Sequence, residues 1–147
     1  MAKYKNDKIN VEGIEFSSKF EANCFKYLKQ LENQNIIKGL ETQPIFSLQN
    51  SFYCPYYDGK NKKVNKTKHR ETTYISDFKF DYLYHGTWYQ TVLETKGFID
   101  QKYPIKKKLF LYQYGKDNIF LEIHRVGEFK IIPELIEKII KLKETKA

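Results

Sequence analysis

Three stretches of the chain carry apolar residues at helical spacing, and each begins at a residue that is typical of a helix start. In the first stretch, Ser18 and Glu21 form the S-x-x-E pattern of a capping box. The second stretch lies between Pro104 and Gly115, and the third covers about residues 133–145. The residues expected to face the core are Phe20, Cys24, Tyr27, Leu28 and Leu31 in the first helix, Ile105, Leu109 and Tyr112 in the second, and Leu135, Ile136, Ile139, Ile140 and Leu142 in the third.

The other apolar stretches predict strands. Residues 41–49 alternate well enough for one strand, and residues 118–123 form a short buried strand. Residues 73–97 are rich in Tyr, Phe, Ile, Val and Thr, which predicts a long hairpin that turns at His85-Gly86. The order of these elements predicts an α/β fold with a central mixed β-sheet flanked by helices.

The size and charge of the chain indicate one globular domain with a polyanionic partner. Its 147 residues are 41% hydrophobic, which is enough for a core without disulfide or metal staples. The formal net charge of +8 favours nucleic acid as a partner, ahead of an anionic membrane. Residues 55–70 predict a mobile basic loop that is either merely solvated or a clamp for phosphates. The cations of this loop are Lys60, Lys62, Lys63, Lys66, Lys68 and Arg70.

Membrane and exported proteins are disfavoured by the sequence. No run of about 18 apolar residues can span a bilayer, and the N-terminus lacks the apolar segment of a signal peptide. Cys24 and Cys54 fit no metal-binding spacing, and neither do the three histidines. Two cysteines without an export signal favour free thiols in a reducing compartment. We therefore expect a cytoplasmic protein without a membrane partner.

The turn at His85-Gly86 determines which residues of the hairpin face each other. Paired residues have numbers that sum to 171, which sets Asp77 opposite Glu94. Glu94 and Lys96 are two residues apart in a strand and therefore point to the same face of the sheet. Two carboxylates that face each other destabilise a sheet, so we expect a cation between them. The opposite face is expected to carry Tyr74, Phe78, Phe80, Tyr82 and Leu93.

The residues of this face could hold a divalent metal ion. Carboxylate oxygens are the hard ligands that Mg²⁺ prefers, and Asp77 and Glu94 supply them from adjacent strands. The backbone carbonyl of Thr95 is a candidate third ligand. Lys96 would add a positive charge that orients an attacking water or offsets charge on a phosphorus. Glu21 is either a capping-box glutamate alone or a further carboxylate that turns toward the sheet.

The same residues, taken in order, resemble the active-site pattern of the PD-(D/E)XK nuclease superfamily. The match consists of Glu21 in SSKFEANCF, Asp77 in YISDFKF, and Glu94 with Lys96 in VLETKG. The likeness is strongest to small phage-encoded members, through VEGIEFSSKFE, QPIF at residues 43–46 and the lysine-rich IKKKLF. It runs from about residue 11 to residue 123, with one departure, because Ser76 stands where a proline would precede the aspartate.

The resemblance implies a restriction-endonuclease-like αβββαβ core and Mg²⁺-dependent hydrolysis of phosphodiester bonds in DNA, with Mn²⁺ able to substitute. In that family the aspartate and the glutamate hold the metal ion and the lysine assists the water, which gives these roles to Asp77, Glu94 and Lys96. In size and charge the chain is also similar to the phage endonuclease I-type resolvases of Holliday junctions and other branched DNA in recombination. That analogy implies a homodimer, whose interface could be the apolar last helix if this helix is not simply core. Outside the basic loop, the residues expected to contact DNA are Lys102, Lys106 and Lys107.

Three functions are compatible with the sequence. The first is a metal-dependent DNA nuclease, encoded by a phage and acting in the cytoplasm of its bacterial host, where a replication or recombination protein could direct the cut. The second is a nucleic-acid-binding module on the same fold that does not cleave. The third is an interaction protein, such as a phage-encoded inhibitor of a host defence, whose aromatic residues would form an interface. The intact set of Asp77, Glu94 and Lys96 favours the first.

Overall fold

A four-stranded mixed sheet occupies the centre of the computed structural model, which describes residues 8–96 and 100–145. In chain order the strands are β1 (Ile9–Val11), β2 (Ile14–Phe16), β3 (Ile37–Thr42), β4 (Ile45–Gln49), β5 (Phe52–Tyr53), β6 (Tyr56–Asp58), β7 (Lys63–Asn65), β8 (Lys68–His69), β9 (Thr72–Ile75), β10 (Phe78–Tyr84), β11 (Thr87–Thr95) and β12 (Ile119–Ile123). The helices of the described residues are α1 (Lys19–Asn33), α2 (Tyr103–Tyr114), a 3-10 helix (Val126–Ile131) and α3 (Ile132–Thr145). The central sheet has the order β12-β11-β10-β3, with β11 and β12 parallel and the other neighbours antiparallel. The predicted mixed sheet is confirmed.

Helices cover both faces of the central sheet. On one face, side chains of α1 and α3 pack with Phe78, Phe80 and Leu93 in a continuous apolar core. On the other face, Phe110 of α2 packs with Val92 and with residues of β4 and β9. Neighbours in β11 belong to different cores because side chains alternate along a strand. The predicted arrangement of a sheet between helices is therefore confirmed.

The first and last helices form as predicted. The hydroxyl of Ser18 accepts a hydrogen bond from the backbone N–H of Glu21 at 3.1 Å, which fixes the start of α1. In α3, Ile136 and Ile140 are fully buried within the chain, whereas Leu142 is exposed. Most of that apolar face is core, and its use as a dimer interface stays a prediction. No helix in the described part of the chain has the length and apolar character needed to cross a membrane.

The predicted inner face of α2 is wrong. The structure exposes all three residues expected inside, which are Ile105, Leu109 and Tyr112. Its buried residues are instead Tyr103 and Phe110. Apolar residues occur on nearly every side of this helix, so their spacing does not select a face. Phe110 lies inside because it packs among the rings of Phe46 and Tyr74 from β4 and β9.

The β10–β11 hairpin has the predicted register. Tyr84 pairs with Thr87 across the turn, and all pairs have numbers that sum to 171. His85 and Gly86 have φ of 49° and 79°, the two positive values that a type I′ turn requires. The predicted end of the hairpin, Gly97, lies outside the described residues. The predicted core face is confirmed for Phe78, Phe80, Tyr82 and Leu93.

The first strand of the hairpin is shorter than predicted because the chain leaves the central sheet at Ser76 and Asp77. Thr72–Ile75 forms β9, which pairs with β4 in a separate sheet. The prediction for Tyr74 is therefore wrong, because this residue lies in the second core with Val92. In a single unbroken strand, side chains would alternate between the same two faces of the sheet throughout. The interruption ends that alternation, so the residues of β9 do not continue the pattern of β10.

The predicted strand over residues 41–49 is in fact two strands that belong to different sheets. The chain bends between them at Gln43, whose φ is 52°, and at Pro44. This bend lies beside the interruption in the hairpin. Gln43 N donates to the carbonyl of Asp77 at 2.9 Å, and Ser76 N donates to the carbonyl of Pro44 at 3.1 Å. The two bends thus support each other and fix the backbone of Asp77.

Residues 50–71 form a two-stranded antiparallel ribbon, whereas the sequence predicted a loop over residues 55–70. Strand β5 pairs with β8, and β6 pairs with β7, with a turn at residues 59–62. In both pairs the partner numbers sum to 121, so one register holds from Phe52 to the tip. We call residues 50–71 the β-ribbon. It continues the β4–β9 pair and therefore extends from the strand that carries Tyr74.

Candidate active site

Glu21 is placed by the first turn of α1. Its backbone belongs to the helix cap, and its side chain is only 4% exposed. The carboxylate accepts a hydrogen bond from the Ser17 hydroxyl at 3.4 Å and faces the carboxylate of Asp77. The two roles considered for Glu21 are therefore compatible, because the backbone caps the helix while the carboxylate meets a second acid.

Asp77 is fixed to the end of β11. Its Oδ2 accepts hydrogen bonds from both the backbone N–H and the hydroxyl of Thr95, each at 2.7 Å. The neighbouring Ser76 is fully buried, and its hydroxyl donates to the carbonyl of Leu93 at 3.0 Å. These bonds close the interrupted strand onto β11 and hold the carboxylate beside the strand end. The role of the Thr95 carbonyl as a metal ligand stays a prediction.

Glu94 and Lys96 share one face, as their spacing in the strand predicts. Lys96 Nζ lies 3.2 Å from Glu94 Oε2, and Glu94 is 4% exposed. The hydroxyl of Tyr74 donates to the other carboxylate oxygen, Oε1. The Lys96 ammonium also lies over the ring of Tyr103, 4.0 Å from its centroid. The lysine is therefore positioned by a carboxylate and by an aromatic ring.

The carboxylate of Asp77 is close enough to Glu21 and Glu94 to affect the ionisation of both. Burial, and then the charge of Asp77, raise the pKa of Glu21 to about 8. Burial and the charge of Asp77 also raise the pKa of Glu94 to about 7, against the lowering effect of Tyr74 and Lys96. Asp77 thus interacts with both glutamates. A buried group of like charges is stabilised by taking up protons or by a cation.

The chemistry of this group fits a hard divalent cation. Its oxygens come from α1, from the bend before β10 and from β11, and carboxylate oxygens are what Mg²⁺ prefers. The side chains are engaged with protein partners, since Asp77 Oδ2 is bonded to Thr95 and both Glu94 oxygens are bonded to Tyr74 and Lys96. Within residues 8–96 and 100–145, no three acidic, histidine or cysteine side chains form a group that could hold an ion as they stand.

Lys96 faces a cleft of about 220 Å³. Two of the predicted DNA-binding residues, Lys102 and Lys106 at the start of α2, line the same cleft, as do the rings of Tyr74 and Tyr103. Its charged residues, among those that the structure describes, are Lys96, Asp100, Lys102 and Lys106. Three lysines against one aspartate make this cleft attractive to a phosphate.

Lys107, the third predicted DNA-binding residue of α2, forms an ion pair with Glu122. Its Nζ lies 2.9 Å from Glu122 Oε1, which also accepts from the Tyr103 hydroxyl at 2.6 Å. His124 Nε2 lies 2.6 Å from the other oxygen. Burial raises the pKa of Glu122, but the hydrogen bonds from Tyr103, His124 and Lys107 outweigh it and lower this pKa to about 2. A contact of Lys107 with DNA stays a prediction.

Tyr74, Tyr103 and Glu122 are absent from the sequence-based prediction of the site. A local signal existed only for Glu122, the one acid inside the apolar strand β12, where it pairs with Glu94 in the parallel ladder. The two tyrosines carry no such signal, because the chain contains 12 tyrosines and most of them could belong to a core.

The ribbon lysines do not join the carboxylate group. The residues Lys60, Lys62, Lys63, Lys66, Lys68 and Arg70 lie on the β-ribbon or in its turn. A larger cleft of about 320 Å³ lies at the opposite end of β11, near Tyr89. There, Lys143 donates to the carbonyl of Asn118 at 2.7 Å, which ties α3 to the turn after α2. The acids and the catalytic lysine candidate thus meet at one end of β11.

A protein-family model described as "Protein of unknown function (DUF1064)" matches residues 1–126. No curated protein and no solved structure matches the chain. The chain belongs to the DUF1064 family.

Proposed function

We propose that this member of the DUF1064 family is a Mg²⁺-dependent endonuclease that hydrolyses phosphodiester bonds in DNA. The observation that carries the proposal is the meeting of Glu21, Asp77 and Glu94 beside Lys96 at the end of β11. Buried glutamates whose pKa is raised by burial and by an adjacent carboxylate, beside a fixed lysine, are typical of a catalytic site rather than of a structural ion pair. The homodimer, the phage origin, the cytoplasmic location and the partner that directs the cut belong to the same proposal.

The proposed fold is the restriction-endonuclease-like core. It is supported by the order of α1, β10, β11, α2 and β12 along the chain and by a mixed sheet with helices on both faces. In this arrangement the aspartate precedes the first strand of a hairpin, and the glutamate and lysine follow in the second. The resemblance described for the sequence has the same order.

Asp77 and Glu94 would hold the metal ion, with Glu21 and the carbonyl of Thr95 as further ligands. When bound, Mg²⁺ or Mn²⁺ supplies a more acidic water and neutralises charge on the phosphate. The chain itself holds Asp77 in place through Thr95 and Glu94 in place through Tyr74. Glu94 is buried and Asp77 is half-buried, so little bulk water reaches them and their interaction with a cation is strengthened.

Lys96 would stabilise the charge that develops on the phosphate. Its ammonium is held by Glu94 and by the ring of Tyr103, and it faces the cleft that Lys102 and Lys106 also line. A phosphate in this cleft would therefore meet a cation that is already positioned, so little reorganisation is needed during the reaction.

A cleavage assay tests the proposal. Supercoiled plasmid, linear duplex and a four-way junction are incubated with Mg²⁺, Mn²⁺ or EDTA. We expect divalent-dependent cleavage that Glu94→Ala and Lys96→Ala each reduce about 10³-fold. The matched controls, Glu134→Ala and Lys141→Ala, remove one exposed acid and one exposed lysine of α3 and should cut like wild type. Absence of cleavage with either ion, or wild-type rates in both site variants, would refute the proposal.

A nucleic-acid-binding module that does not cleave is the second candidate. It is favoured by the engaged carboxylates and by the lack, in the described residues, of a ready-made group of three metal ligands. The same assay separates the two functions, because a binding module would retain DNA in EDTA and in Mg²⁺ without cutting it.

A further inference from the structure

The two faces of the β-ribbon differ in what they contact. One face packs against itself, because the rings of Phe52 and Tyr56 both stack on His69, at 4.6 and 5.7 Å between centroids. The ring of His69 also lies 3.0 Å, through Nε2, from the carbonyl of Cys54. These contacts join β5, β6 and β8 on one side. They confirm that side chains alternate between the same two faces along the whole ribbon. We call this the packed face.

The other face carries tyrosines and cations. Tyr53 pairs with Lys68, and Tyr57 pairs with Val64, and cross-strand partners share a face. Tyr53 is 63% exposed and Tyr57 is 65% exposed. We call this the open face. By the same alternation it includes Lys66 and Arg70, so its members are Tyr53, Tyr57, Val64, Lys66, Lys68 and Arg70.

Charge is divided unequally between the two faces. Residues 50–71 contain two acids, Asp58 and Glu71, and both occupy positions that alternate with the open face. Asp58 is engaged there, because it accepts from the backbone N–H of Lys60 at 3.0 Å and from the Asn61 amide at 2.8 Å. The open face therefore presents three cations without an acid, and such a face attracts a polyanion.

The geometry points to duplex DNA as the ligand of the open face, with the β-ribbon inserted in the major groove. A two-stranded ribbon fits this groove, which is about 12 Å wide. Lys66, Lys68 and Arg70 follow at two-residue steps of about 7 Å, close to two base-pair steps of about 3.4 Å each. Tyr53 and Tyr57 are about 13 Å apart along their strand, too far to stack on successive bases of a single strand.

This inference rests on the proposed function in one respect, because it names duplex DNA as the substrate of the proposed nuclease. Binding by the open face needs no metal ion, so it is measured in EDTA, where no cleavage occurs. Failure of the nuclease proposal would appear as absence of cleavage in Mg²⁺ or Mn²⁺. Failure of the ribbon proposal would appear in the binding data alone, and the two results are distinguishable.

Two matched double variants of the whole protein test the open face. Lys66→Ser with Lys68→Ser removes two charges from it, whereas Lys60→Ser with Lys63→Ser removes two charges from the turn and the packed face. All four lysines are exposed, so neither variant should change the melting temperature. Binding of a fluorescent 30-bp duplex is followed by anisotropy between about 50 and 200 mM salt, a range in which phosphate contacts change affinity strongly.

We expect the open-face variant to bind the duplex about tenfold more weakly than wild type. Its plot of log K against log salt should be shallower, with a slope that is smaller in magnitude by about 2. The control variant should lose no more than about threefold, with a slope near that of wild type. Equal losses in the two variants would show that only net charge matters and would overturn the inference, as would no loss in either.

A second pair of measurements distinguishes duplex from single-stranded DNA. Tyr53→Ser with Tyr57→Ser should weaken binding of the 30-bp duplex by several-fold more than binding of either strand alone, because a groove is read only in the duplex. A larger loss for the single strand would indicate base stacking and would contradict insertion in the groove.

Discussion

The end of the β10–β11 hairpin and the β-ribbon place their charges in opposite environments. At the hairpin end, Glu21 and Glu94 are almost fully buried, Lys96 lies 3.2 Å from Glu94, and the charge of Asp77 acts on both glutamates. On the open face of the ribbon, Lys66 and Lys68 are exposed beside exposed tyrosines. Burial changes the chemistry of a group, whereas exposure leaves its chemistry unchanged and makes it available to a partner. The reaction that we propose therefore belongs to the first region, and the proposed contact with DNA belongs to the second.

The two regions also hold their shape by different means. The hairpin end is held by hydrogen bonds between parts of the chain that are far apart in sequence, such as Thr95 with Asp77 and Gln43 with Asp77. The ribbon is held mainly by its own ladder and by one small aromatic stack on His69. Changes at the hairpin end should therefore affect ionisation and stability together, whereas changes on the open face should affect binding alone.

The largest expected effect is that a variant at the hairpin end changes turnover, whereas a variant of the open face changes binding. Glu94→Ala should lower the turnover number about 10³-fold while its duplex affinity in EDTA stays within about twofold of wild type. The open-face variant Lys66→Ser with Lys68→Ser should instead raise KM about tenfold and leave the turnover at saturating DNA near wild type. Steady-state cleavage kinetics at several DNA concentrations provide the measurement. If the two variants changed the same kinetic parameter, the two regions would not have separate roles.

The next effect is the dependence of stability on pH in metal-free protein. In the unfolded chain Glu21 and Glu94 ionise near pH 4.5, and in the folded protein their pKa values are about 8 and about 7. Between these limits the folded state holds more protons, so the free energy of unfolding should fall as the pH rises from about 4.5 to about 8. Urea unfolding at a series of pH values measures it.

Two comparisons sharpen this prediction. Glu21→Gln removes one ionising group and should flatten the dependence on pH. Mn²⁺ should raise the melting temperature more at pH 8 than at pH 5, because protonated glutamates do not bind it. A stability that does not depend on pH over this range in wild type would mean that folding does not raise the pKa values of Glu21 and Glu94.

A smaller effect is expected from the tyrosine that holds Glu94. The hydrogen bond from Tyr74 lowers the pKa of Glu94, so Tyr74→Phe should raise this pKa. The ascending limb of the pH–rate profile should then move to higher pH, with a loss of less than about tenfold near neutral pH and recovery under alkaline conditions. Tyr57→Phe on the ribbon is the control and should leave the profile in place.

The smallest expected effect is a difference in stability between the loss of a helix cap and the loss of an exposed aromatic side chain. Ser18→Ala removes the acceptor for the backbone N–H of Glu21 and should cost about 1 kcal/mol of stability. Tyr57→Ser, on the open face, should change stability by less than about 0.5 kcal/mol. Chemical denaturation at one pH compares them, and a reversed order would contradict the distinction between the two regions.

The sequence predicted the register of the hairpin and the shared face of Glu94 and Lys96 because local rules determine both. The turn at His85-Gly86 sets the register of β10 and β11, and the spacing of Glu94 and Lys96 sets their shared face. Ser18 marks the start of α1 and thereby places Glu21. Each inference needed only a turn, a cap or a period of two residues.

The remaining features depend on distant contacts. The prediction for Tyr74 failed because the strand breaks at Ser76, where the bend is supported by Pro44 in another part of the chain. The ribbon was predicted as a loop because its strands have only two or three residues each and are rich in lysine, so no alternation of apolar residues is visible. Their pairing is determined by register with the partner strand, which a local pattern does not contain.

The central claim is that Asp77 and Glu94 bind one divalent ion between them. The most direct test is a crystal of the protein soaked in Mn²⁺, with anomalous diffraction collected at the manganese edge. We predict one strong anomalous peak within about 2.5 Å of carboxylate oxygens of both residues, and its loss in a crystal of Glu94→Gln. A soaked crystal with no peak there, or with Asp77 and Glu94 still bonded only to Thr95, Tyr74 and Lys96, would contradict the claim.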